Sequence, residues 1–114
     1  METITEDYCS QEVYILLIKK GFDGEIHTTF DKEGYTQASI TFQMAMKWLR
    51  EVRNRFIEVQ TDKGHDLKSI VFRPAIYDED LNCLWESDNY KSYEQAAEAA
   101  IKHCLEHLNN HGNN

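Results

Sequence analysis

Apolar positions along Ile40–Val59, ITFQMAMKWLREVRNRFIEV, follow two periods in succession. Ala45, Trp48, Leu49, Val52 and Phe56 fall at i, i+3, i+4, i+7 and i+11, the spacing of one helix face. Phe42 and Met46 widen that face, while Gln43, Lys47, Arg50, Glu51 and Asn54 lie opposite. Thr41 stands before them as an N-cap, with a hydroxyl able to accept from a free first-turn amide. After Phe56 the period drops to two: Ile57 and Val59 alternate with Glu58 and Gln60, as in a half-buried strand. The stretch predicts an amphipathic helix that runs directly into a β-strand.

The same patterning places the other elements. Ser10 can cap a helix over 11–20 with Val13, Leu16 and Leu17 inward and Tyr14 and Ile18 beside them. Lys19 and Lys20 suit its negative end, Gly21 supplies the left-handed residue that ends it, and Phe22 folds back on it. Asp23-Gly24 is a turn signal, followed by an expected hairpin of Ile26–Phe30 and Tyr35–Ala38 around Asp31–Gly34. A second strand is expected at Leu67–Tyr77, where Pro74 implies a sheet edge or a bulge. Asp78–Asn82 reads as a polar turn and Cys83–Glu86 as a third strand with Trp85. Ser92 and Gln95 form a capping box before Tyr93, Ala96, Ala97, Ala100, Ile101, Cys104, Leu105 and Leu108, a sustained helical stripe.

The order is therefore helix, hairpin, helix, three strands, helix. Short turns between consecutive strands imply an α+β fold: a small antiparallel sheet with helices packed on one face. A chain of 114 residues accommodates one domain of this kind, expected over residues 1–108, with 109–114 as a frayed tail.

Composition narrows the function classes. No apolar run reaches bilayer length, and the acidic start METITEDYCS has no apolar signal core, so no membrane association is expected. Cys9, Cys83 and Cys104 lack metal or redox spacing and fit reduced thiols in a cytoplasm. A net charge of −8 disfavours general polyanion binding and suits a partner with a basic surface.

Four groups of residues carry candidate chemistry. Lys47, Arg50, Arg53 and Arg55 concentrate positive charge on the central helix, which could contact phosphates or an acidic patch. Glu51 pairs with Lys47 and Arg55 at i, i+4 spacing, which equally describes a solvated face. His103 and His107, four apart on one helix face, could hold a transition metal with His111 or Glu106 as a third ligand. No HExxH motif supplies the base of a zinc hydrolase. Asp78, Asp80 and Asn82 open like a calcium loop, but Cys83 and Asn89 stand where its glycine and glutamate belong. Cys9 precedes a helix start, where a thiolate is favoured. Neither a nucleophile elbow, a phosphate loop nor a dinucleotide loop is present, so neither enzymatic activity nor a cofactor is expected.

At MAMKWLREVRNRFIEV (Met44–Val59), YCSQEVYILLIKKGFD (Tyr8–Asp23) and KSYEQAAEAAIKHCLEHL (Lys91–Leu108), the chain resembles a family of short uncharacterised proteins. That family occurs in gut-bacterial genomes, phages and other mobile elements. The resemblance implies a phage-like or mobile-element accessory role and brings no site residues. The order of elements over Thr41–Leu108 also resembles a double-stranded-RNA-binding domain. Glu94, Gln95 and Glu98 stand where that family places phosphate-gripping lysines, with Lys91 alone outside the cap. The expected function is a small acidic, non-enzymatic protein-interaction or regulatory module. Its partner would be a protein, a second copy included. The alternatives are nucleic-acid binding through Lys47–Arg55 and metal binding at His103 and His107.

Overall fold

Three hydroxyl caps set the helix starts. Ser10 Oγ accepts from the Val13 amide at 3.2 Å, Thr41 Oγ1 from Met44 at 3.1 Å and Ser92 Oγ from Gln95 at 3.1 Å. The computed structural model describes residues 7–108, with helices α1 (Gln11–Lys19), α2 (Phe42–Val52) and α3 (Tyr93–Glu106). Strands β1 (His27–Phe30), β2 (Thr36–Ser39), β3 (Phe56–Lys63), β4 (Ile70–Tyr77) and β5 (Cys83–Glu86) complete the order. The class is α+β, as the patterning implies. The expected tail 109–114 lies outside the described residues.

The helix ends follow the same local chemistry. Gly21 sits at φ 95°, the Phe22 amide donates to Leu17 O at 3.0 Å and the Gly21 amide to Ile18 O at 3.1 Å. This pair of bonds satisfies the last carbonyls of α1 and folds Phe22 into the core. Asn54, at φ 56°, ends α2 in the left-handed conformation, and the Arg55 amide reaches back to Leu49 O at 3.0 Å. Two residues later β3 begins.

Strands β3, β4 and β5 form one antiparallel sheet with β4 in the centre, while β1 and β2 form a separate two-stranded sheet. The hairpin thus stands beside the main sheet and does not extend it. A proline in a central strand needs explanation. Pro74 O accepts from the Ser87 amide at 3.1 Å, so its missing N–H faces the β5 side. Phe72 and Tyr90 then exchange two backbone bonds of 2.9 Å, leaving Asp88 and Asn89 opposite the single Arg73. That two-to-one count is a bulge, one of the two settings expected for this proline.

Helix α3 packs against β3, β4, α1 and α2. Ala96, Ala97, Ala100, Ile101 and Leu105 on its inner face are fully buried, together with Val13, Leu17, Ile40, Leu49 and, nearly so, Ile76. The predicted face of α2 is correct at Phe42, Ala45, Trp48 and Leu49 and fails at Val52, which is 54% exposed. Val52 ends the helix beyond the edge of the core. Arg53, the next residue, is only 4% exposed. Its guanidinium stands 5.7 Å from the centre of the Trp48 ring.

Two hairpin loops repeat one geometry. In Asp31–Tyr35 the aspartate Oδ1 accepts from the amides two and four residues on, Asp31 N donates to Tyr35 O, and Gly34 takes φ 89°. In Asp78–Asn82 every one of these bonds recurs, but Leu81 holds the left-handed position at φ 65° and is 72% exposed. A branched side chain there costs about 1–2 kcal/mol, more than glycine loses in chain entropy. Leu81→Gly is expected to raise the unfolding free energy by about 1 kcal/mol, measured as a higher urea midpoint at unchanged slope. A lowered midpoint would show that Leu81 makes stabilising contacts.

Candidate functional site

The four basic residues of the central helix do not share a surface. Lys47 and Arg50 are exposed, Arg53 is buried over Trp48, and Arg55 is half-buried beyond the helix end. The reason is the chain reversal at Asn54, which swings Arg55 off the helix and toward the C-terminal half of α3. Arg55 there meets both histidines singled out from the sequence. Arg55, His103 and His107 line one cavity of about 260 Å³, bounded by Ile76, Leu84 and Trp85, with Cys104 in its wall.

The histidines are organised by stacking. Trp85 and His103 lie with ring centres 4.5 Å apart and planes 17° from parallel; His103 and His107 follow at 4.0 Å and 22°. His107 Nδ1 donates to His103 O at 2.8 Å, so in the neutral ring its proton sits on Nδ1. Near-parallel rings hold their in-plane nitrogen lone pairs side by side, whereas a shared metal needs them to converge. Among the described residues no three His, Cys, Asp or Glu side chains come together to hold a metal ion. Of the two further ligands considered, Glu106 is exposed and His111 lies outside the described residues.

The cysteines are placed differently from the sequence expectation. Cys9 precedes α1, but it is buried, and burial, assisted by Glu98, pushes its thiol up to about 12. The dipole of the following helix does not overcome that desolvation. Cys104 is likewise pushed up to about 12 by burial. Cys83 is exposed, and all three are free thiols. The calcium-like turn is closed on itself, since Asp78 spends its oxygens on Asp80 and Asn82 amides and on Asn82 Nδ2.

The opposite, outward face of the main sheet escaped the sequence reading. Register places Glu58 beside Ala75, Gln60 beside Arg73 and Glu86 on the far side of Ala75. These residues, with Tyr77 and Asp88, line a shallow concavity of about 470 Å³. Partial desolvation, then the negative Glu58 and lesser electrostatic effects of Cys83 and Glu86, raise the Tyr77 hydroxyl above its usual value, so it stays a donor. Arg73 is held there by Asp62 at 3.3 Å and by Asn89 Oδ1 at 3.0 Å. The available signal was the alternation of Glu58, Gln60 and Asp62 on β3. Helices on one face already leave the other bare, but which residues gather there depends on the β3–β4–β5 register.

No protein-family model, curated protein or solved structure matches the chain.

The His103 ring has a lowered pKa because burial and then the neighbouring His107 disfavour its charged form, against a small opposing effect of Glu106. Above 6.5, its ordinary value, the ring is neutral in folded and unfolded chains alike. Below 6.5 the unfolded chain takes up the proton first, so the folded state loses stability until the folded pKa is crossed. The melting temperature of the protein should therefore drop more between pH 7.5 and 5.5 than that of His103→Gln. Parallel curves for the two proteins would contradict this assignment.

Proposed function

We propose that the protein is a non-enzymatic interaction module that docks a basic protein surface on the outward face of β3, β4 and β5. The observation that carries this reading is the uncovered concave face, bordered by Glu58, Glu86 and Asp88 with Tyr77. Uncompensated carboxylates on a bare sheet, in a chain of net charge −8, attract cations and repel nucleic acid. Arg73 does not cancel that field, because Asp62 already pairs with it. The buried thiols Cys9 and Cys104, both far too weakly acidic to react at neutral pH, leave the described interior without a nucleophile of use. An accessory or regulatory part in a phage or mobile element, acting in the cytoplasm, agrees with this chemistry and with the family resemblance. No helix among the described residues is long and apolar enough to cross a membrane.

The nucleic-acid reading draws on Lys47 and Arg50 alone, since Arg53 and Arg55 have left the helix surface. Two exposed cations release too few counterions to hold a polyanion against the acidic remainder. The test is a pull-down from host lysate with three baits: the protein, Glu58→Lys/Glu86→Lys and Arg50→Glu. A near-stoichiometric partner retained by the protein and Arg50→Glu, and lost with the double reversal, is the expected result. A partner lost only with Arg50→Glu, or no partner at stoichiometric level, overturns the reading.

A further inference from the structure

The cavity on the other side of the sheet carries a separate inference, independent of the docking reading. We propose that the space bounded by Arg55, Trp85 and the His103–His107 pair binds a small planar carboxylate, an arene or heteroarene monoacid. Size sets the first limit. At about 260 Å³ the cavity falls below the roughly 300–1,000 Å³ of sites for drug-sized ligands, so it suits a single-ring body.

Its lining sets the second. Ile76 and Leu84 are apolar, and Trp85, His103 and His107, stacked face on face with both faces of His103 covered, offer ring edges to a body that meets all three. An aromatic body gains there both from burial and from edge-to-face contact, which adds about 0.5–1.5 kcal/mol per aromatic pair. A non-planar body of equal area gains only the former.

Charge sets the third. Arg55 is the one permanently cationic side chain in the lining, and it is half-buried. Its Nη1 donates to Asn54 O at 3.1 Å, and no carboxylate among the described residues lies within ion-pairing distance of it. Asp78 feels its charge, but that carboxylate is occupied by the amides of its own loop. A half-buried guanidinium keeps a planar fork of donors that matches a carboxylate in two parallel bonds. The His103 imidazole beside it, whose pKa burial lowers, adds no second full charge at neutral pH, and the protein as a whole is strongly negative. A monoanion fits these conditions and a polyphosphate does not. Cys104, the remaining lining group, is a protonated thiol that offers no reaction, so the site binds without chemistry.

The experiment is an NMR titration of the full chain with benzoate, with benzamide as the neutral isostere. Benzoate is expected to shift the Trp85 indole and the His103 and His107 ring signals saturably, with a Kd of about 1 mM or tighter, modest for its size. Benzamide should bind at least tenfold more weakly. Arg55→Gln should weaken benzoate at least tenfold and leave benzamide unchanged, with Arg55→Lys between the two. Should Arg55→Gln fail to fold, the benzoate-to-benzamide ratio on the unaltered protein decides alone. The proposal is overturned by equal binding of the two ligands, by no saturable shift with 10 mM benzoate, or by a folded Arg55→Gln that binds benzoate undiminished.

Discussion

Close approach across the alanine face of α3 is the constraint on which the rest of the structure depends. Ala96, Ala97 and Ala100 present single methyl groups, so the helix backbone can lie near both α1 and the main sheet. Ile101 and Leu105 then fill the space between Leu17, Leu49 and Ile76, and the two halves of the chain share one core. Larger side chains at the alanines would push α3 off the sheet and separate those halves, a kind of overpacking that typically costs about 1–3 kcal/mol per site. The same seating also fixes where the C-terminal half of α3 lies. His103 comes to rest on Trp85 because the alanines upstream allow the helix to settle that close.

The second determinant is the short junction between α2 and β3. Asn54 reverses the chain in a left-handed conformation, and the two arginines on either side of it part company. Arg53 turns inward over Trp48, which itself packs on Phe22 with ring centres 5.7 Å apart. Arg55 turns toward α3. A cluster that is basic in sequence thus becomes one packing residue, one cavity residue and two solvated side chains. The outward sheet face and the Arg55 cavity then lie on opposite sides of β4, which separates an acidic surface from a cationic pocket.

Much of the fold was legible in the sequence because its signals are local. Ser10, Thr41 and Ser92 each cap the helix expected of them, and the alternation after Phe56 is a strand. The run of apolar positions from Ala96 to Leu108 is buried throughout. The site was less legible because its residues meet only through tertiary structure. Histidines four apart predicted a shared face, yet stacking on Trp85, a residue from another element, decides how their rings are used. The reactive setting expected for Cys9 looked only at the helix that follows it, whereas the Ile40 backbone and the core close over it. Val52 and Arg53 exchanged expected environments because a helical stripe says nothing about where its neighbours end.

Helix α3, strand β5 and the residue after the α2 turn meet around one stack of rings. Nuclear Overhauser contacts among the side chains of Arg55, Trp85, His103 and His107 in the unliganded protein test it most directly. Cross-peaks are expected from the Trp85 indole to the His103 ring and from His103 to His107, with His103 ring protons shifted upfield by the stacked indole. The Arg55 δ-methylene should show contacts to the same group. Histidine ring protons at unperturbed positions, with no contact to Trp85, would contradict it.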